Sequence, residues 1–138
     1  MKAFFPWILV LCALACAEWT ARDVHELFLK RTDRKAGVHT GKLDGALDSA
    51  GLVAVYEFHR VMGDSYRPTV TSANDSPEHA RFSKHYENKA LDFRLFDVPR
   101  KKREGLVRAI EKQLGPRFRA LWENAGKSGE HLHIELKN

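Results

Sequence analysis

Apolar residues recur at helical spacing in three stretches of the chain. Residues 21–31 carry a short amphipathic pattern, and residues 47–62 place apolar side chains around a broad stripe. A third stretch follows Pro99 and is closed by Gly115 and Pro116. Because residues three and four apart lie on one face of a helix, this spacing predicts three α-helices, each with one buried face.

Four further stretches are typical of β-strands. Residues 67–72 are rich in β-branched side chains, residues 89–96 and 131–136 alternate polar and large apolar side chains, and residues 118–122 are a shorter candidate. The remaining segments are polar and contain glycine or proline, as loops do. The sum predicts one small α+β domain, in which two or three helices cover one side of a mainly antiparallel sheet.

The alternation also separates polar from apolar side chains on two of these strands. Asp92 shares one face with Ala90, and His131 and His133 share the face opposite their large apolar neighbours. Successive side chains of a strand point to opposite sides of the sheet. We therefore expect Asp92 and both histidines to lie on the sheet face away from the hydrophobic core.

An apolar segment opens the chain. Lys2 precedes an uncharged run over residues 4–15, which is shorter than the roughly 20 residues that span a bilayer. We predict residues 1–17 as a signal peptide and residues 18–138 as a domain exported to the periplasm or the exterior. Lipid attachment at Cys16 is an alternative to free secretion, and a retained anchor is a third.

Cysteine content and net charge restrict the possible ligands and partners of the chain. Both cysteines, Cys12 and Cys16, lie in the predicted signal, so the exported domain forms no disulfide and a metal has to be bound by His and carboxylate side chains. The formal net charge of +5 is compatible with an anionic polymer as partner. The basic run at residues 100–103 lacks interleaved aromatic residues, so we interpret it as a solvated helix end and expect no nucleic-acid partner.

Three polar residues are the candidate metal ligands. His85 and Asp92 lie seven residues apart across a loop-to-strand junction, and His133 lies on a strand with the same polar-face pattern. Two imidazole nitrogens and one carboxylate oxygen leave the fourth coordination position of a zinc ion open, as in catalytic sites. Four other histidines are interpreted as surface, loop or partly buried residues: His25, His39, His59 and His79.

The residues around these ligands resemble a known family. Residues 83–92 read SKHYENKALD and resemble the S-x-H-x-x-G-x-A-x-D signature of the zinc D-alanyl-D-alanine carboxypeptidase and dipeptidase family. Residues 130–133 read EHLH and resemble its E-x-x-H and H-x-H endings. The resemblance covers residues 70–136 and implies the hedgehog-type fold of that family.

The resemblance also implies roles for individual residues. One zinc ion per chain would be bound by the three ligands named above, and Glu130 would take a proton from the attacking water and pass it to the leaving amine. His131 would stabilise negative charge that develops on the carbonyl oxygen. Ser83 would brace the loop or bind substrate. Since Glu130 and His133 have opposite parity, Glu130 has to precede the regular strand or lie at a bulge, which Gly129 would permit.

Two departures from the family pattern bear on specificity. Asn88 replaces a glycine, which is compatible with a left-handed backbone because Asn tolerates that conformation. Residues 72–75 lack the arginine that binds the substrate carboxylate in the family. Arg67, Arg81 and Arg94 are candidates to replace it, and we select Arg81 as the substrate-binding residue. Carboxypeptidase and endopeptidase action both stay open.

Three functions follow from this pattern. The first is a monomeric, exported zinc metallopeptidase that hydrolyses a peptide bond in peptidoglycan stem peptides. The second is a non-catalytic zinc domain of the same fold that binds cell wall or another protein, since one scaffold can serve both purposes. The third is a hydrolase of another amide, or a structural protein whose motifs agree by chance.

Overall fold

The computed structural model describes residues 19–74 and 79–138, which form an α+β fold. Its elements in chain order are α1 (Ala21–Arg31), β1 (Asp33–Arg34), α2 (Gly45–Met62), β2 (Thr69–Ser72), a 3₁₀-helix (Lys84–Glu87), β3 (Ala90–Arg94), α3 (Arg100–Leu114), β4 (Phe118–Glu123) and β5 (His131–Leu136). The predicted fold class is thereby confirmed, whereas the hedgehog-type likeness stays a prediction.

The predicted signal peptide lies outside this part of the chain. Residues 1–17, with the lipid-attachment candidate Cys16, are not among those that the structure describes. Within residues 19–74 and 79–138, no helix combines the length and the apolar character that a membrane span requires.

The five strands form one sheet in the order β1-β2-β3-β5-β4. The pairs β2/β3, β3/β5 and β4/β5 are antiparallel, as predicted, and β1 pairs with β2 in parallel, so the sheet is mixed. Sequence periodicity missed β1 because it consists of only Asp33 and Arg34, both exposed, and shows no alternation. Backbone hydrogen bonds hold it instead, from Asp33 N to the Pro68 carbonyl and from Lys35 N to the Val70 carbonyl.

The helix termini differ in how their free backbone groups are satisfied. Helix α1 begins with a capping box in which Thr20 and Asp23 bond to each other's backbone. Helix α2 begins at Asp44, whose side chain accepts a hydrogen bond from Ala46 N. Helix α3 follows Pro99 with no side-chain cap and has no acidic residue in its first turn. The positive end of its dipole is therefore not offset by a carboxylate of its own first turn.

The hydrophobic core lies between the helices and one face of the sheet. Three rings meet at its centre: the Phe93 centroid is 6.3 Å from that of Phe28 and 5.7 Å from that of Phe58. The largest fully buried apolar side chains are Phe28, Phe58, Phe93, Leu47, Leu91, Leu95, Leu106, Ile110, Leu132, Ile134 and Val70. Because β3 and β5 give alternate residues to this core, their remaining side chains face the other way, as the alternation predicts.

Substitution of two helical glycines by alanine should change stability in opposite directions. A methyl group at Gly51, in α2, would come 2.7 Å from Cδ2 of Phe28, whereas one at Gly105, in α3, would meet no atom within 4 Å. We expect Gly51→Ala to lower the free energy of unfolding by about 1–3 kcal/mol through overpacking. Gly105→Ala should raise it by about 0.5–1 kcal/mol through helix propensity. Urea denaturation measures both, and equal effects would contradict the packing of α1 on α2.

Candidate metal centre

A short 3₁₀-helix before β3 positions His85. The Ser83 hydroxyl accepts a hydrogen bond from His85 N at 3.3 Å and so caps the first turn. The segment ends at Asn88, whose φ of 60° is left-handed. A residue that tolerates this conformation is therefore needed there, as expected for the position where the family has glycine. Ser83 braces the loop in this structure, and its contact with substrate stays a prediction.

The three predicted ligands lie together on the polar face of the sheet. Asp92 on β3 lies directly opposite His133 on β5, and Asp92 Oδ1 is 2.7 Å from His133 Nδ1. The same oxygen is 3.2 Å from His85 Nε2. One potential ligand atom from each residue lies within 4.8 Å of the other two, and all three side chains are buried. The cluster can hold a metal ion.

Outer hydrogen bonds orient both imidazoles as metal ligation requires. His85 Nδ1 donates to the Ala73 carbonyl at 2.6 Å, which leaves Nε2 as the free nitrogen towards Asp92. His133 Nε2 lies 3.2 Å from the Glu135 carboxylate, so its Nδ1 is the inner nitrogen. Metal-binding histidines usually donate their second N–H to a carbonyl or carboxylate in this manner. The donor set therefore fits a divalent ion such as zinc, although other divalent ions accept similar ligands.

Protons stabilise the cluster when no metal is bound. Burial lowers the pKa of His133, but the hydrogen bond and charge of Asp92 outweigh burial and raise the pKa to about 9. Burial raises the pKa of Asp92, but the hydrogen bonds from His133 and His85 hold that pKa far below its ordinary value. An imidazolium and a carboxylate are thus paired, and metal binding would have to displace the proton.

A bulge in β2 brings a further polar side chain to the centre. Val70 pairs with Phe93, but Ser72 pairs with Asp92, so β2 has one residue more than β3 at this point. Ser72 is thereby turned towards the polar face, where its Oγ is 3.5 Å from His85 Nδ1. The alternation along residues 67–72 did not predict this placement because a bulge breaks the period of two.

His79 also lies beside the ligands, although the sequence analysis interpreted it as a surface, loop or partly buried residue. Its ring stacks on that of His85, with centroids 4.1 Å apart and planes within 9° of parallel. Its Nε2 is 3.1 Å from Ser72 Oγ, and the Tyr86 hydroxyl donates to its carbonyl. His79 therefore covers one side of the His85 ligand. Its closeness in sequence to His85 was the one signal available.

His131 lies at the rim of the centre. Its Nδ1 donates to the Gly129 carbonyl at 2.7 Å, and its Nε2 is 3.1 Å from a Glu123 oxygen and 3.5 Å from Asp92 Oδ2. It pairs with Arg94 on β3 and Glu123 on β4 across the sheet. The predicted position beside the ligands is thus observed, and the catalytic role stays a prediction.

Glu130 precedes β5, as its parity with His133 required. Both of its carboxylate oxygens accept hydrogen bonds. Arg103 donates to Oε2 at 2.7 Å and Trp122 Nε1 donates to Oε1 at 2.5 Å. Burial raises the pKa of Glu130, but these two hydrogen bonds outweigh it and lower the pKa. Glu130 lines the same cavity as Asp92 and His131, so the ionised carboxylate lies on one side of the candidate centre.

The interpretation of residues 100–103 as a solvated helix end is wrong for one residue. The Arg103 side chain is only 11% exposed and also donates to the carbonyls of Val98 and Phe96 at 2.8 and 2.9 Å. It lies three residues before the buried Leu106, on the inward face of α3, so helical periodicity was a usable signal. The prediction of a solvated helix end followed the charge run and not this helical spacing.

The three candidate arginines lie in different surroundings. The Arg67 side chain is engaged in structural hydrogen bonds at β1. It donates to Asp33 and to the carbonyl of Thr32. Arg81 is exposed, lies over the Phe82 ring and lines a cavity beside His85 and His133. Arg94 lines a different cavity, which contains Asp92 and Glu130. Arg81 and Arg94 therefore remain candidates, and Arg67 does not.

Comparison with known proteins adds no family to this description. No family model matches the chain, no curated protein matches it, and no solved structure matches it.

The purified protein should retain about one tightly bound zinc ion per chain, because three buried ligands converge with their outer hydrogen bonds in place. His85→Ala should lose this ion, whereas the matched variant His39→Ala, at an exposed position, should keep it. Zinc at 100 times its Kd should also stabilise the wild type by about 2.7 kcal/mol. Metal analysis and thermal melting measure these effects. A wild type that binds no zinc would show the cluster to be a structural polar network.

Proposed function

We propose that the chain is an exported zinc metallopeptidase that hydrolyses a peptide bond in peptidoglycan stem peptides. The observation that carries this proposal is the buried set of His85, Asp92 and His133 beside a cavity that also contains an ionised Glu130. The likeness of residues 83–92 and 130–133 to the family motifs supports the substrate class. The apolar leader at residues 1–17 supports export.

His85, Asp92 and His133 would hold the ion. A zinc ion at such a centre polarises a carbonyl and activates water at neutral pH. Structural zinc sites are usually closed by a fourth protein ligand, whereas this buried set has three. The half-buried His131 lies at the rim, so access to the centre is from that side.

Glu130 would act as the base. A base has to be ionised before it accepts a proton, and the bonds from Arg103 and Trp122 keep this carboxylate ionised at neutral pH. The same two bonds restrict its rotation, which reduces the entropy lost on reaching a productive geometry. They also lower its affinity for the proton, which weakens acceptance of a proton from water and favours its release to the leaving amine.

Two cavities flank the centre and are suited to an extended chain. The first has a volume of about 770 Å³ and includes Glu130 in its lining. The second has a volume of about 580 Å³ and includes His85 and the exposed Phe82. Asp92 and His131 line both cavities. A peptide that crosses the centre could therefore contact the protein on both sides of its scissile bond, which favours a peptide over a small amide.

The first cavity favours a substrate with a free carboxylate. Its basic lining residues are Lys35, Arg94, Arg100, Arg103 and Lys127, and its acidic lining residues are Asp92 and Glu130. Asp92 would be neutralised by the metal and Glu130 is paired with Arg103, so the cavity is positive overall. Arg94 lies two residues after Asp92, a distance of about 6.8 Å along a strand, and one further residue of extended peptide spans about 3.3–3.6 Å. We therefore extend the proposal to carboxypeptidase action, with Arg94 as the carboxylate ligand.

One observation favours the second candidate, a non-catalytic zinc domain. Both oxygens of Glu130 accept strong hydrogen bonds, and such a carboxylate can serve to connect α3 to the start of β5. In that function zinc would stabilise the surface that binds a cell-wall polymer or a protein, and no peptide would be cleaved.

Glu130→Gln tests the assignment of the base. The variant keeps the size of the side chain and the metal ligands, so zinc content should be unchanged. Hydrolysis of muropeptides should fall by about 100-fold to 10,000-fold, the usual contribution of a general base. Mass spectrometry of the digest measures the loss. Glu104→Gln, at an exposed ion pair on α3, is the matched control and should keep full turnover.

Full turnover of Glu130→Gln would transfer the base to His131 or another group. A wild type that binds zinc but leaves every muropeptide intact would replace the peptidase proposal with the binding domain.

Arg94→Gln and Arg81→Gln, compared on two peptides, test the source of specificity. One peptide ends in D-alanyl-D-alanine with a free carboxylate, and the other carries a terminal amide. Arg94→Gln should lower kcat/KM for the free acid by about 10-fold to 150-fold, since a hydrogen bond to a charged group contributes about 1.5–3 kcal/mol. The amide should be little affected. The same loss in Arg81→Gln alone would restore Arg81 as the carboxylate ligand, and a wild type that prefers the amide would indicate an endopeptidase.

A further inference from the structure

The two carboxylate oxygens of Asp92 lie near different groups of side chains. Oδ1 is 2.7 Å from His133 Nδ1 and 3.2 Å from His85 Nε2, which is the set described above. Oδ2 is 3.5 Å from His131 Nε2, on the other side of the carboxylate. Asp92 is therefore placed to contact two ligand groups at once.

The second group is built by strand register. Glu123 on β4 pairs directly with His131 on β5, and its Oε2 is 3.1 Å from His131 Nε2. His131 Nδ1 donates to the Gly129 carbonyl at 2.7 Å, so Nε2 is the nitrogen left to bind a cation. His85 shows the same arrangement, with Nδ1 on the Ala73 carbonyl at 2.6 Å. An outer carbonyl bond of this kind is what orients a metal-binding imidazole.

Three side chains beside Asp92 lie close enough together to share one ion. Glu123, His131 and His133 each offer an atom within 4.8 Å of the others. His133 Nδ1 belongs to the first set, and its Nε2 lies against Glu135 at 3.2 Å. Asp92 Oδ2 is thus the better third ligand for the second group, since a carboxylate can bind two ions through its two oxygens.

We propose that Glu123, His131 and Oδ2 of Asp92 form a second divalent-cation site, joined to the first by the Asp92 carboxylate. In two-metal hydrolase sites the ions lie about 3.5–4 Å apart, a separation that one bridging carboxylate allows. The assignment concerns metal binding alone and goes beyond the peptidase proposal. It also gives His131 a role as ligand whenever the second ion is present.

The second site is weaker than the first. Its Glu123 and His131 side chains are 43% and 18% exposed, so solvent competes for them, whereas the first set is buried. Arg94 pairs directly with His131 across β3 and β5, and its positive charge opposes a second cation. We therefore expect the first ion to be retained on purification and the second to bind only when metal is added.

Metal binding by the purified full chain tests the site. Equilibrium dialysis against zinc should give one tight and one weak equivalent for the wild type. Glu123→Gln should weaken only the weak equivalent, by about tenfold or more, and His131→Ala should abolish it. Retention of the tight equivalent in both variants shows that they fold and that the first set is intact. The matched control Glu104→Gln should bind both equivalents.

Cadmium-113 NMR of the cadmium-loaded chain provides the second readout. Two resonances are expected for the wild type and one for His131→Ala. A single resonance at excess metal, or a weak equivalent that persists in both Glu123→Gln and His131→Ala, would overturn the second site. Both measurements are independent of turnover, so failure of peptidase activity leaves their outcome interpretable.

Discussion

The register of β3 against β5 is the constraint on which the rest of the candidate site depends. In this register Asp92 lies opposite His133, and Leu91 and Phe93 lie opposite Ile134 and Leu132 in the core. A shift by one residue would move the carboxylate into the apolar layer and the leucines into the polar layer. The hydrophobic core therefore excludes the one-residue shifts that would separate the ligands from the polar face. Packing of apolar side chains on one face of the sheet thus positions the candidate ligands on the opposite face.

Burial of charge on the polar face is tolerated because the charged groups bind one another. An isolated carboxylate at the depth of Asp92 would be unfavourable, but two imidazoles contact the same oxygen. Without metal, a proton on His133 supplies the positive charge that the pair requires. A divalent ion would supply positive charge at the same place. The folded chain thereby places its negative charge and its imidazole nitrogens where a cation could bind.

Arg103 links the helical layer to the end of the sheet. From α3 it contacts two carbonyls of the loop after β3 and the carboxylate just before β5, so three segments meet at one guanidinium. Trp122 binds the other oxygen of Glu130 and packs on the core. The orientation of Glu130 is thus determined by side chains distant in sequence. Any catalytic role of this carboxylate depends on that contact.

The three helices, four of the strands and the shared polar face of Asp92, His131 and His133 could all be predicted from the amino-acid sequence. These features follow from local periodicity, which depends only on which neighbours in sequence point the same way. The left-handed turn at Asn88 was accessible for the same reason, since backbone conformation is a local property.

The remaining features of the site depend on contacts between distant segments. Strand β1 is held by backbone bonds and by the distant Arg67 side chain, and Ser72 reaches the site through a bulge, so neither has a signature in the local side-chain pattern. The contacts of Glu130 with Arg103, and of Asp92 with the rim histidine, join residues 27 and 39 positions apart. Such pairings depend on which distant segments come into tertiary contact, and a local sequence pattern contains no information about those contacts.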